Sequence, residues 1–231
     1  MSSIQLAVFD IAGTTVQDNG EITVAFQASL RKYGYDIAAE EINPLMGYKK
    51  PEAIQLILEK HEPESSKITS SYIEEIHNRF VAMMLRYYVT SEHLRPLPHA
   101  EEVFAYLKQK DVRIGLDTGF SKNITDVIME RLGWLRNHLV DYVVSSNEVK
   151  AGRPQPYMIQ KLMELSGVRN ADKVIKTGDT EVDINEGKNA GCLYSIAITT
   201  GAFTRQQLEP YQPSFIIDDL RELIPIIEDA P

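Results

Sequence analysis

Cysteine is almost missing from this chain: Cys192 is the single one, beside a single tryptophan, in 231 residues. One cysteine rules out an intramolecular disulfide and fits a reducing compartment. Its surroundings, Ala-Gly-Cys-Leu-Tyr-Ser-Ile, read as a small buried residue and not as a reactive thiol. Long apolar runs are missing too, and none reaches the length of a membrane span. The short apolar run at the start ends at Asp10, which is not a signal-peptide pattern. Positive charge is scarce: 24 Lys and Arg face 33 Asp and Glu, a formal charge of −9. That balance argues against nucleic acid or an anionic membrane as the main partner. It leaves an anionic substrate open, because one metal ion and a few cations reverse the field locally. The expectation is a cytoplasmic protein, monomer or homodimer, without internal repeats or low-complexity segments.

What is present organises around Gln5-Leu-Ala-Val-Phe-Asp-Ile-Ala-Gly-Thr-Thr15. An apolar run bounded by a turn signal reads as a buried strand. Asp10 then stands at its carboxyl end, where open α/β sheets place their ligands.

From about residue 21 to 89 the periodicity is helical, with hardly any strand signal. Residues 23–33 carry Val24, Phe26, Leu30 and Tyr33 and stop at Gly34; residues 51–61 open on Pro51; residues 70–88 show an apolar stripe through Phe80 and Met84. From Leu94 onward strands and helices alternate. Strands are expected at 112–118, 142–145, 173–177, 194–200 and 214–217, with helices at 101–110, from Ser121 to Leu132, from Tyr157, after Asp183, and at 220–227. Alternation of this kind means a parallel sheet covered on both faces. The fold class is therefore α/β, a doubly wound parallel sheet. Residues 1–15 and 95–231 form its core domain, and residues 16–94 a helical domain inserted after the first strand.

Four strand ends converge on one rim of such a sheet. They offer Asp10 with Thr14, Thr118 with Gly119, Arg153, and Gly178-Asp179 with Asp183. Carboxylates from two strands, with another four residues on, suit a hard oxygen-liganded cation such as Mg²⁺. A hydroxyl, backbone amides and a fixed cation suit phosphoryl or phosphonyl oxygens.

The order Asp-x-x-Gly-Thr, Thr-Gly after a strand, a basic residue, then Gly-Asp-Thr-x-x-Asp resembles the haloacid dehalogenase superfamily of phosphotransferases, whose helical cap the insertion also resembles. Two departures are similar to phosphonoacetaldehyde hydrolases (phosphonatases) and their relatives. Ala12 replaces the usual second aspartate, and Arg153 replaces the usual lysine. The segment Met46-Gly-Tyr-Lys-Lys50 is also similar to the Met-Gly-x-x-Lys of that family, which carries a Schiff-base lysine; its counterpart here is Lys50, not Lys49.

The resemblance implies Asp10 as nucleophile, Mg²⁺ held by Asp10, the Ala12 carbonyl and Asp179, with Asp183 beside them, and oxygens held by Thr14, Thr118, Gly119, Arg153 and the Gly47 segment. Ala12 cannot protonate a leaving group, and a carbanion leaving from a C–P bond needs an electron sink instead. A protonated lysine imine is one. The resemblance also implies a histidine three residues after that lysine, and Ala53 stands there; none of the five histidines falls in a motif. The expected function is Mg²⁺-dependent hydrolysis of a small phosphonate. The alternatives are a phosphomonoester phosphatase of a small metabolite and a non-catalytic phosphometabolite sensor.

Overall fold

A computed structural model describes residues 4–231; the first three residues assigned to the core domain lie outside the described residues. Six strands form one sheet among them: β1 (Leu6–Asp10), β2 (Arg113–Thr118), β3 (Tyr142–Ser145), β4 (Val174–Gly178), β5 (Tyr194–Ile198) and β6 (Phe215–Ile217). Every pairing is parallel, in the order β3-β2-β1-β4-β5-β6. The fold class read from the sequence is the one observed. The ten α-helices of the described residues are α1 (Glu21–Arg31), α2 (Ala39–Ile42), α3 (Lys50–His61), α4 (Ser70–Thr90), α5 (Ala100–Gln109), α6 (Lys122–Leu132), α7 (Tyr157–Ser166), α8 (Glu181–Ala190), α9 (Arg205–Leu208) and α10 (Leu223–Glu228).

β1 is buried along its whole length, as a central strand covered on both faces requires. The strand order reverses between β1 and β4, so the crevice for a ligand opens at their carboxyl ends. One helix start and two short helices differ from expectation. The helix expected after Asp183 begins at Glu181, because Thr180 caps it and Asp183 is the third residue of its first turn. The short helices α2 and α9 carry too few residues for a periodicity to register.

The helical segment enters and leaves the sheet domain side by side. Val16 bridges Pro96, the Leu97 amide donates to the Thr15 carbonyl at 2.8 Å, and the Gln17 amide donates to the Arg95 carbonyl at 3.1 Å. One apolar core runs through both parts. Phe9 packs edge-on against Phe104 beside the sheet, with ring centroids 5.4 Å apart, and Phe26 against Phe80 among the helices, 5.6 Å apart. Phe120, just past β2, joins the two by contacting Phe80 and Tyr88.

Candidate active site

After Asp10 the chain turns back on itself. The Thr15 and Val16 amides donate to the Ile11 carbonyl, and the Thr15 hydroxyl donates to the Asp10 carbonyl at 2.9 Å. The turn needs Gly13 twice over: its φ is +86°, and a Cβ there would stand 2.8 Å from Asp179 Oδ2. That close approach brings Thr14 to Asp179, whose Oδ1 accepts from the Thr14 hydroxyl at 3.3 Å and whose Oδ2 accepts from the Ala202 amide at 2.6 Å.

Asp10, Ala12 and Asp179 share a cavity wall with Thr118, Gly119, Gly47 and Lys50, so seven of the ten expected site residues converge. The cavity leaves only about 30 Å³ for the centres of water-sized groups. The Thr118 oxygen accepts from the Phe120 amide at 3.2 Å, which leaves its own proton to donate elsewhere. Thr14 sits behind the wall, through Asp179.

Arg153 and Asp183 sit behind Asp10 in a buried charge network. Arg153 Nη1 lies 2.7 Å from Asp10 Oδ1 and 3.0 Å from Asp183 Oδ1, Nη2 pairs with Asp117, and Nε lies 3.2 Å from Glu186. Lys176, on β4, pairs with Asp117 and lies 3.1 Å from Asp183 and 3.4 Å from Glu186. Asp183 gives its other oxygen to the Thr180 hydroxyl at 2.5 Å. Asp117, Lys176 and Glu186 were not foreseen. For Asp117 and Lys176 the signal is in the sequence, since a charged side chain within a strand buried on both faces requires a partner; Glu186, on α8, carries no such signal.

A divalent cation fits one carboxylate set better than another. Asp10, Asp117 and Asp183 bring oxygens within 4.8 Å of one another. Arg153 and Lys176 already contact those oxygens, so that triad is charge-compensated. Asp179 has no ion pair among the described residues, though it is only 4% exposed and faces the same cavity as Asp10. Burial and then the Asp10 charge push the Asp179 carboxyl well above its usual range, and burial raises Asp10 to about 6. Asp179, a buried carboxylate without an ion pair among the described residues, stands with Asp10 and Ala12 on one cavity wall, and with the Ala12 carbonyl these two carboxylates are the donor set of a hard cation.

Lys50 opens α3, with Pro51 next to it in the first turn. Its side chain turns inward and is 2% exposed. Nζ donates to the Met46 carbonyl at 2.5 Å and to the Tyr48 carbonyl at 3.2 Å, and stands 5.6 Å from the centre of the Phe120 ring. Burial lowers its pKa to about 8. Lys49 does not line the cavity; its Cβ lies against Gly152. Gly47 and Gly119 close the seam between the helical segment and the sheet. A Cβ on Gly47 would strike the Thr180 side chain, and one on Gly119 would stand 2.5 Å from the Tyr48 carbonyl oxygen.

The family model of haloacid dehalogenase-like hydrolases matches residues 7–197. The chain belongs to that family, and it is a hydrolase. Hydrolases of this family generally use a divalent metal. Among its relatives, phosphonoacetaldehyde hydrolase of Bacillus cereus (strain B4264) is 30% identical over 236 residues, covering 98% of this chain and 87% of the relative. That of Bacillus mycoides (strain KBAB4) is 31% identical over 243 residues, with the same coverage. Among solved structures, a phosphonoacetaldehyde hydrolase-like protein from Oleispira antarctica superposes with a TM-score of 0.84 at 20% identity, covering 99% of this chain and 92% of that one. A β-phosphoglucomutase from Clostridium difficile gives 0.77 at 22% identity, covering 98% and 96%. Among the described residues, no helix is long and apolar enough to cross a membrane.

Proposed function

We propose that this hydrolase cleaves the C–P bond of a small phosphonoaldehyde, with Asp10 as nucleophile, Lys50 as imine-forming amine and Mg²⁺ as cofactor. The observation that carries the reading is Lys50: a buried primary amine, with its pKa lowered to about 8, on the wall of the cavity that holds Asp10. At pH 7 a pKa near 8 leaves roughly a tenth of the amine neutral, against about 0.03% at the ordinary lysine value. Only the neutral amine attacks an aldehyde.

Magnesium held by Asp10, the Ala12 carbonyl and Asp179 would supply positive charge at the phosphonyl oxygens. The chain's own groups do the rest. Thr118 and the Gly119 amide orient the phosphonyl group, and an Asp10 oxygen attacks phosphorus. The C–P electron pair passes into the Lys50 imine to give an enamine. Water then cleaves the aspartyl phosphate. Residues 16–94 act as a cap that closes over the reacting groups. The curated relatives named phosphonoacetaldehyde hydrolase support the substrate class.

A second reading, phosphomonoester hydrolysis, is favoured by Ala53, a fully buried methyl group where the resemblance to phosphonatases implies a histidine. The deciding assay is phosphate release from phosphonoacetaldehyde against a panel of phosphomonoesters, with Mg²⁺ and with EDTA. The C–P reading expects release from phosphonoacetaldehyde foremost, abolished by EDTA. Preference for a phosphomonoester replaces it with the second reading, and full activity in EDTA removes the metal assignment.

A further inference from the structure

Among the described residues, four ionisable side chains line the cavity: Asp10, Asp179, Lys50 and Asp18. The first three have roles in the reading above. Asp18 has none.

Asp18 lies half-buried on the loop between β1 and α1. Its Oδ1 accepts from the Gly20 amide at 3.0 Å, which fixes the plane of the carboxyl group. The titratable groups that act on or respond to its charge are Glu21 of α1, Lys50 of α3, and Tyr87 and Tyr88 of α4. Burial is the largest influence on the Asp18 carboxyl and raises it above the ordinary value.

Imine formation at Lys50 needs a group that takes up and returns a proton. Both hydrogen bonds of Nζ go to backbone carbonyls, which hold an ammonium but cannot take its proton. Ala53 offers no base from α3, and among the described residues no histidine lines the cavity. Asp10 must stay free to attack phosphorus, and Asp179 belongs to the metal.

We propose that Asp18 is the proton carrier of the Lys50 imine, a catalytic residue beyond those already assigned. This rests on the C–P reading above. The Asp18 carboxylate takes one proton from the Lys50 ammonium, and the free amine adds to the aldehyde carbon. The second amine proton moves to the former carbonyl oxygen, giving a carbinolamine. Asp18 returns its proton to that hydroxyl, the C–O bond breaks, and water departs. The products are the protonated imine, one water and the Asp18 carboxylate, so two protons of the ammonium leave in the water and the third stays on nitrogen. After C–P cleavage the enamine takes a proton from water at its terminal carbon, and hydrolysis of the resulting imine runs the same exchange backwards.

The test compares wild type with Asp18→Asn, which keeps the Oδ1 acceptor for the Gly20 amide and loses the carboxylate charge and the capacity to carry a proton. Mg²⁺-loaded protein is mixed with phosphonoacetaldehyde and excess borohydride, and the Lys50 adduct is followed by mass spectrometry from pH 6 to 10. We expect Asp18→Asn to slow adduct formation at pH 7 by about 10²-fold or more. The deficit should shrink as pH rises through the Lys50 pKa, because free amine then forms without a base. Asp18→Glu should recover part of the rate. An Asp18→Asn adduct that forms at the wild-type rate overturns the role of Asp18 and leaves the Lys50 reading standing. A deficit that persists undiminished at pH 10 means a displaced loop, and also overturns it. No adduct in the wild type overturns the C–P reading, and the Asp18 role with it.

Discussion

Replacing Lys50 with methionine separates the energetics of this residue from any assumption about substrate. The amine is 2% exposed, and burial draws its pKa from 10.5 to about 8. The folded protein therefore holds this proton more weakly than the unfolded chain does. Below pH 8 the penalty is fully present. It fades as pH rises from 8 to 10.5, because the folded amine is then neutral while the unfolded one is still charged. The gap corresponds to about 3 kcal/mol at pH 7 and under about 1 kcal/mol at pH 10. Methionine has similar length, no charge and no titration. Urea unfolding of both proteins from pH 7 to 10 gives the difference in stability, and groups common to both cancel. The stability of Lys50→Met relative to wild type should fall by about 2–3 kcal/mol across that range. A difference independent of pH would mean that the folded amine titrates near its ordinary value, and the argument for a neutral nucleophilic amine would fail with it.

Three further substitutions probe the rest of the site. Asp10→Asn should lower phosphate release by several orders of magnitude while the fold survives; retention of more than roughly a tenth of the rate, about 1.4 kcal/mol of barrier, would mean that another group attacks. Gly119→Ala places a methyl 2.5 Å from the Tyr48 carbonyl oxygen and 3.0 Å from that of Gly47, so phosphate release should slow about tenfold or more as the seam is held apart; unchanged turnover would mean the loops have room to yield. Lys176→Met strips one of two cations from Asp117, Asp183 and Glu186 and should cost about 3–5 kcal/mol in urea unfolding; a loss below about 1 kcal/mol would mean that the carboxyls absorb it by taking up protons.

The sheet was legible because its central strands β1, β2 and β4 announce themselves twice, by apolar runs and by the glycine or aspartate that ends each one. β1, β2 and β4 all stop within a residue of where those signals fall. Lys50 was marked only by the resemblance of Met46-Gly-Tyr-Lys-Lys50 to the phosphonatase segment, and its place on the cavity wall follows from heading a helix whose preceding loop packs against Gly119 and Gly152. The network behind Asp10 was harder to see. Lys176 in Val-Ile-Lys-Thr and Asp117 in Ile-Gly-Leu-Asp-Thr each look like a single polar interruption of an apolar strand. Their pairing is a property of strand order, since β1 separates β2 from β4 and the two side chains meet beside it. Asp18 escaped for another reason: a loop aspartate before a helix reads as a turn residue, and only tertiary closure brings it to the wall of the cavity that Lys50 lines.

The guanidinium of Arg153 is fully loaded. Asp10 and Asp183 occupy Nη1, Asp117 occupies Nη2 and Glu186 occupies Nε. The residue thus behaves as an ion exchanger whose resident counter-ions are carboxylates. An anion gains contact with it only by displacing one of them, and of the four only Asp10 reaches the cavity. Exchange at that position would release the Asp10 oxygen from its counter-ion as the incoming group arrives. A weak monoanion such as chloride or acetate has too little charge to evict a buried carboxylate, whereas a dianion gains two charges' worth of attraction for the one it removes. Selection among anions at this site is then a matter of charge before it is a matter of shape.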